Sequence, residues 1–187
     1  MLKNTVLMAV VATVISSNLY AENTQILMET NMGPIEIELF NDKAPISTKN
    51  FEQYVKSNFY NGTIFHRVIS GFMIQAGGFN EQMIEKSTRF PIQNESYNAL
   101  SNERGTLAMA RTNIPDSAKS QFFINLVDNP HLNKTTVNDG YAVFGKVTKG
   151  MDVVDKIAMV STSQYAMHQN VPEKPVLITN MQIKKIK

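Results

Sequence analysis

A mainly β domain, built as an antiparallel barrel or a sandwich, is predicted by three features of this 187-residue chain. Short segments alternate apolar and polar residues, as Ile35, Ile37 and Leu39 do with Glu36 and Glu38, so that one face meets a core and the other meets water. Turn chemistry separates these segments, at Asn31-Met32-Gly33-Pro34, at Asn61-Gly62 and at Ser70-Gly71. Only two stretches carry apolar residues at helical spacing, too few to cover a parallel sheet. The pattern by itself leaves barrel and sandwich both open.

The elements follow in order. Lys3, the apolar run Val6 to Ile15 and the polar stretch Ser16 to Ala21 have the layout of a secretory signal peptide. Residues 1–21 are therefore expected to be removed, leaving residues 22–187 as one domain that begins at Glu22. The apolar run is too short to span a bilayer comfortably, so no membrane association is expected of the mature form. Ile26–Thr30 and Ile35–Phe40 read as a hairpin. A helix is predicted from Pro45, because proline suits the first helical position, with Ile46, Phe51, Tyr54 and Val55 as its core stripe. Phe65 to Gly78 reads as two extended runs around Ser70-Gly71. Phe79 to Asn102 is a polar connector of the length that is usually mobile or functional. Gly105–Arg111 and Gln121–Val127 read as strands, with loops at Thr112–Lys119 and Asp128–Gly140. Met151, Val154, Ile157 and Ala158 mark the second helix, and Val176–Ile186 a final strand.

Composition removes several chemistries. The net charge of +2 gives no reason to expect nucleic acid or an anionic membrane surface as partner. The chain has no cysteine, hence no disulfide and no thiolate nucleophile or ligand. Its eleven methionines read as core fillers. His66, His131 and His168 have no metal-ligand spacing, so no metal site is expected. There is no G-x-S-x-G elbow, and Ala76-Gly77-Gly78 reads as a turn, too short for a phosphate loop.

What remains is the stretch FHRVISGFMIQAGG, from Phe65 to Gly78, in which Arg67 stands among large apolar side chains. Arginine is seldom buried without partners, and its planar fork is a fixed donor. Gln75 both donates and accepts. In extended backbone Arg67 and Ile69 share one face, as do Met73 and Gln75, which makes an apolar pocket rimmed by a cation and an amide. A second block, Ser120-Gln121-Phe122-Phe123-Ile124, follows the run Gly105 to Arg111, and Tyr141-Ala142-Val143-Phe144-Gly145 closes the set.

In this order the blocks resemble the cyclophilin family of peptidyl-prolyl cis-trans isomerases, over about Ile26 to Ile183. The resemblance implies a closed eight-stranded antiparallel barrel with a helix over each end. It also implies isomerisation of X-Pro bonds, proline-containing polypeptides as partners, no cofactor and a monomeric chain. Carried over residue by residue, it makes Arg67, Phe72 and Gln75 the catalytic group. Met73, Ala110, Arg111, Gln121, Phe123, His131, Leu132 and Tyr141 become substrate-binding residues. Many members carry tryptophan where His131 stands, asparagine where Arg111 stands and histidine where Tyr141 stands. Bacterial periplasmic members vary at these places, and the Ala108-to-Thr112 run looks like theirs, so a periplasmic location is expected. A proline-binding module without turnover would need the apolar wall alone; Arg67 is the residue that separates the two readings.

Overall fold

The computed structural model describes residues 23–184; the segment read as a signal peptide, with its cleavage bond after Ala21, lies outside them. The hairpin is formed by β1 (Gln25–Thr30) and β2 (Gly33–Leu39). Ile26 pairs with Ile37 and Met28 with Ile35, and all four are fully buried. After helix α1 (Pro45–Lys56) come β3 (Thr63–Ile69), β4 (Met73–Asn80), β5 (Thr106–Met109), β6 (Phe122–Asn125) and β7 (Val143–Lys149). Helix α2 (Met151–Ala158) precedes β8 (Thr162–Tyr165), β9 (His168–Pro172) and β10 (Leu177–Ile183).

Eight of these strands close in the order β1-β10-β3-β4-β6-β5-β7-β2, and β8 with β9 forms a separate two-stranded hairpin. Every barrel pairing is antiparallel. Closure removes the unpaired edges that an open sheet would leave exposed. The barrel and both predicted helices are as expected. The β8–β9 hairpin is an addition that the sequence reading lacked.

Helix α1 plugs the barrel with aromatics. The Phe51 ring lies 5.0 Å from Tyr60, 5.3 Å from Phe122 and 5.2 Å from Phe144, centroid to centroid. Its buried stripe consists of Ser47, Thr48, Asn50, Phe51, Tyr54 and Val55. Ile46, expected in that stripe, is only half-buried, because Pro45 and Ile46 open the helix at its outer rim. Ala44 has no side chain able to cap the helix, so its first N–H groups need another acceptor. The Glu95 carboxylate supplies it: Oε1 accepts from Ile46 N at 2.9 Å, and Oε2 accepts from Ser47 N and Ser47 Oγ at 2.7 Å each. A buried anion at a helix N-terminus is favoured by the helix dipole as well. The 81–105 connector thus contains no regular strand yet is pinned to the barrel through Glu95.

Ala76-Gly77-Gly78 lies inside β4 and is not a turn. Here glycine serves close approach: a Cβ on Gly78 would sit 2.5 Å from the Gln121 amide, and one on Gly77 2.9 Å from the Tyr60 ring. The strands at Gly105–Arg111 and Gln121–Val127 are shorter than expected, since Ala110, Arg111 and Gln121 leave the ladder. Alternation then does the sorting. Ile74, Ala76, Leu107, Met109, Phe122 and Ile124 face the main core. Met73, Ala108, Phe123 and Val143 form a second apolar cluster, against which Phe72, Ala110, Leu132 and Tyr141 pack. That outer patch on the β4-β6-β5-β7 wall carries the site.

Candidate active site

The outer patch holds a cavity of about 110 Å³ lined by Phe72, Met73, Phe123, Leu132 and Tyr141, with Arg67, Gln75, Ala110 and Arg111 on its walls. Strand register builds it. Gln75 stands opposite Arg67 on β3 and opposite Phe123 on β6, so cation, amide and ring meet on one line across three strands. Met73 and Phe123 are buried, and the Phe123 ring meets Tyr141 edge-on at 5.7 Å.

The two arginines differ in what they do. Arg111 donates from Nε to the Gly140 carbonyl at 3.0 Å and from Nη1 to the Thr112 carbonyl at 2.8 Å, and it lies over the Tyr141 ring at 4.5 Å. Two of its donors are committed to shaping the loops. Arg67 is half-buried and, among the described residues, makes no hydrogen bond or ion pair. Its donors are available to whatever enters the cavity. Gln75 donates from Nε2 to Gln121 Oε1 at 2.9 Å, which orients its own carbonyl oxygen as an acceptor.

Gln121 therefore acts one contact away from the cavity, through Gln75. His131 also differs from expectation: it is exposed and stacks on the outer side of Phe72 at 5.6 Å, outside the cavity lining. The remaining nine expected site residues line the cavity itself.

Three buried asparagines behind the pocket escaped the sequence reading. Asn129 Nδ2 donates to Asn125 Oδ1 at 2.8 Å and to the Phe72 carbonyl at 3.0 Å. Asn125 Nδ2 donates to Asn102 Oδ1 at 3.2 Å. Asn102 Nδ2 in turn reaches the Leu132 and Tyr141 carbonyls, each at 3.3 Å. The ladder ties together three segments that line the pocket but are far apart in the chain. Its one sequence signal is Asn125, a polar residue ending the apolar run of β6.

A second cavity adjoins the first. Arg67, Gln75 and Arg111 border both, and His66, Phe79 and the β8–β9 hairpin close the new one. A bulge explains how neighbours His66 and Arg67 reach the same place: Phe65 pairs with Ala76 and Arg67 with Gln75, so β3 carries one extra residue there. His66 is 5% exposed and its Nδ1 has no hydrogen-bond partner among the described residues. Burial first, then the nearby His168 and, less, Arg67, push its pKa down from 6.5 to about 4 against the opposing pull of the Ile64 backbone and Gln121.

This has a pH signature. An unfolded histidine takes up a proton below about pH 6.5, whereas folded His66 does so only near pH 4. Between those values the unfolded chain binds more protons, so stability falls with acidification, by roughly 2 kcal/mol at about pH 5. Urea unfolding across that range is expected to show this slope in the wild type, and a smaller one in His66→Phe, whatever the absolute stability of the variant.

The fold and the site together define a closed β-barrel protein with an external, apolar, cation-rimmed pocket. The family model for cyclophilin type peptidyl-prolyl cis-trans isomerases matches residues 25–183, and the chain belongs to that family. It is 68% identical over 164 residues to a peptidyl-prolyl cis-trans isomerase of Acinetobacter baylyi, covering 88% of this chain and 87% of that protein. The peptidyl-prolyl cis-trans isomerase A of Dickeya dadantii is 51% identical over 183 residues, covering 95% and 96%. The B form of Escherichia coli is 53% identical over 161 residues, covering 84% and 98%. Among solved structures, the cyclophilin type isomerase of Cryptosporidium parvum superposes with a TM-score of 0.73 at 27% identity, covering 88% of this chain and 99% of that one. The protein is thus a peptidyl-prolyl cis-trans isomerase, an enzyme acting on proline-containing polypeptides.

Proposed function

We propose that Arg67 is the electrophilic group of this isomerase, and that the enzyme serves exported chains in the periplasm. The supporting observation is the contrast between the two arginines: Arg111 is held by two carbonyls and a ring, whereas Arg67 faces an apolar pocket with its donors unengaged. The barrier to X-Pro rotation is amide resonance, roughly 18–20 kcal/mol. It falls when the prolyl nitrogen turns pyramidal and its lone pair leaves conjugation. A guanidinium donor aimed at that lone pair stabilises the twisted state and has little to bind in the planar one, which is the condition for catalysis.

Phe72, Met73, Phe123, Leu132 and Tyr141 hold the proline ring by apolar contact. Gln75, oriented by Gln121, and the backbone at Ala110 and Arg111 hold the flanking peptide. Nothing covalent is made or broken, so the reaction itself calls for no cofactor. Uncatalysed exchange takes tens to hundreds of seconds, and reaching milliseconds needs a lowering of about 5.5 kcal/mol, or roughly 10⁴ in rate. A charged hydrogen bond in a water-poor pocket together with a fitted wall is of that order.

Export rests on residues 1–21, and no helix among the described residues is long and apolar enough to cross a membrane. Mass determination on protein from the periplasmic fraction is expected to give a chain starting at Glu22; an intact Met1 in that fraction would refute the cleavage. Exchange NMR on a proline peptide tests the catalytic roles, with the variants set out in the Discussion.

A further inference from the structure

The cavity beside the proline pocket is unused by the mechanism above. It measures about 500 Å³ and lies between the barrel wall and the β8–β9 hairpin, which supplies Met167, His168, Gln169 and Asn170. Its lining contains two guanidiniums, Arg67 and Arg111, and no carboxylate. The amides of Gln75, Gln121, Gln169 and Asn170 add donors around the same space. The surface on the other side of Gln75 is different in kind: Arg111 and Lys119 border it together with a carboxylate, Glu85, so an acid already stands beside its cations.

The polarity of the hairpin groove is therefore one-sided. Arg111 bonds through Nε and Nη1 only, which leaves Nη2 without a partner among the described residues. A lone positive field lined by amide donors and lacking an acid is complementary to a carboxylate. The groove is continuous with the proline pocket through Arg67, Gln75 and Arg111, so a polypeptide seated by its proline extends directly into it.

We propose that the groove under the β8–β9 hairpin is a substrate subsite for an acidic side chain, so that the enzyme prefers X-Pro bonds with Asp or Glu nearby. Because the groove shares Arg67, Gln75 and Arg111 with the proline pocket, that side chain belongs close to the proline in sequence. The proposal rests on the proline pocket identified above. His66 forms the floor as an uncharged imidazole and contributes shape; Gln169 and Asn170 sit on the hairpin and are the positions at which the preference can be reset.

The test uses the mature chain and a set of alanine-based peptides with one central Ala-Pro bond. Glu or Lys is placed singly at each of the three positions on either side, and affinity and cis-trans exchange are read by NMR in the same sample at pH 7. One position is expected to favour Glu over Lys by about five-fold in affinity at low salt, and added salt is expected to shrink the ratio. Gln169→Glu, which is nearly isosteric and exposed, is expected to bring that ratio to about one or below.

A ratio near one at all six positions overturns the proposal. So does a Glu preference that Gln169→Glu leaves intact but Glu85→Gln alters, because that would place the acid in the neighbouring surface. A chain that binds with the expected Glu preference but does not exchange the neutral peptide would support the subsite and refute the role given to Arg67.

Discussion

Arg67→Ala lowers the isomerisation rate by about ten- to a hundred-fold while changing peptide affinity by less than about two-fold. The range follows from a charge-assisted hydrogen bond worth about 1.5–3 kcal/mol that exists mainly in the twisted state. Because Arg67 has no partner among the described residues, its removal leaves no buried group unsatisfied, and stability should hardly change. Arg67→Lys keeps the charge on a flexible stem without the planar fork, so it recovers part of the rate. Phe123→Ala is the contrast. Phe123 is 4% exposed and packs on Tyr141, so its loss weakens proline binding in ground and twisted states alike and opens a cavity costing about 3–5 kcal/mol. Exchange NMR reads affinity and rate together. Equal losses in both for Arg67→Ala would mean that the guanidinium merely holds the peptide, as a binding module would use it.

Asn102→Ala is expected to cost about 2–4 kcal/mol of stability and to raise KM more than it lowers kcat. Asn102 is 1% exposed, and its amide reaches the Leu132 and Tyr141 carbonyls and Asn133 Oδ1 while accepting from Asn125 Nδ2. Truncation removes the Tyr141 carbonyl's partner and one of Asn125's, and each unsatisfied group costs about 1–3 kcal/mol, while the Leu132 carbonyl keeps Tyr141 N and Asn133 Oδ1 keeps Asn102 N. Asn125 retains one bond, to Thr106 Oγ1 at 2.9 Å, so the loss falls short of the full sum. Asn102 touches no substrate; it is a positioning residue, holding the segments that carry Leu132 and Tyr141. A KM-against-kcat split alongside urea unfolding distinguishes that role from a general loss of fold. A stability loss below about 1 kcal/mol would show that the ladder is dispensable.

The strands, the turns and the first helix were legible in the sequence because their code is local, whereas the choice of a barrel over a sandwich came from the family resemblance. Strand alternation, Pro45 at a helix start and the turn pairs each depend on residues within a few positions of one another. Met73 and Gln75 were readable for the same reason, since a period of two puts them on one face of β4, whereas Phe123 on β6 came from the family resemblance. Where local rules met long-range demands, the reading slipped. Gly77 and Gly78 looked like a turn because their true reason, the close approach of Tyr60 and Gln121, comes from 17 and 43 residues away in number. The β8–β9 hairpin was invisible because its only buried residues are two adjacent ones at its end, Val171 and Pro172; alternation has little to mark there.

From its residues alone the chain determined an antiparallel, two-helix β architecture and, through its ordered blocks, the family and the identity of the pocket residues. Tertiary structure decided which arginine is free to act, because only the positions of Gly140, Thr112 and Tyr141 reveal that Arg111 is already occupied. It also decided that His131 stands outside the pocket, that three asparagines hold the pocket from behind, and that a bulge turns His66 into the wall of a second groove. The physical reason is common to all four. Hydrogen bonds and stacking between residues distant in sequence depend on register and closure, and those quantities exist only once the barrel has formed.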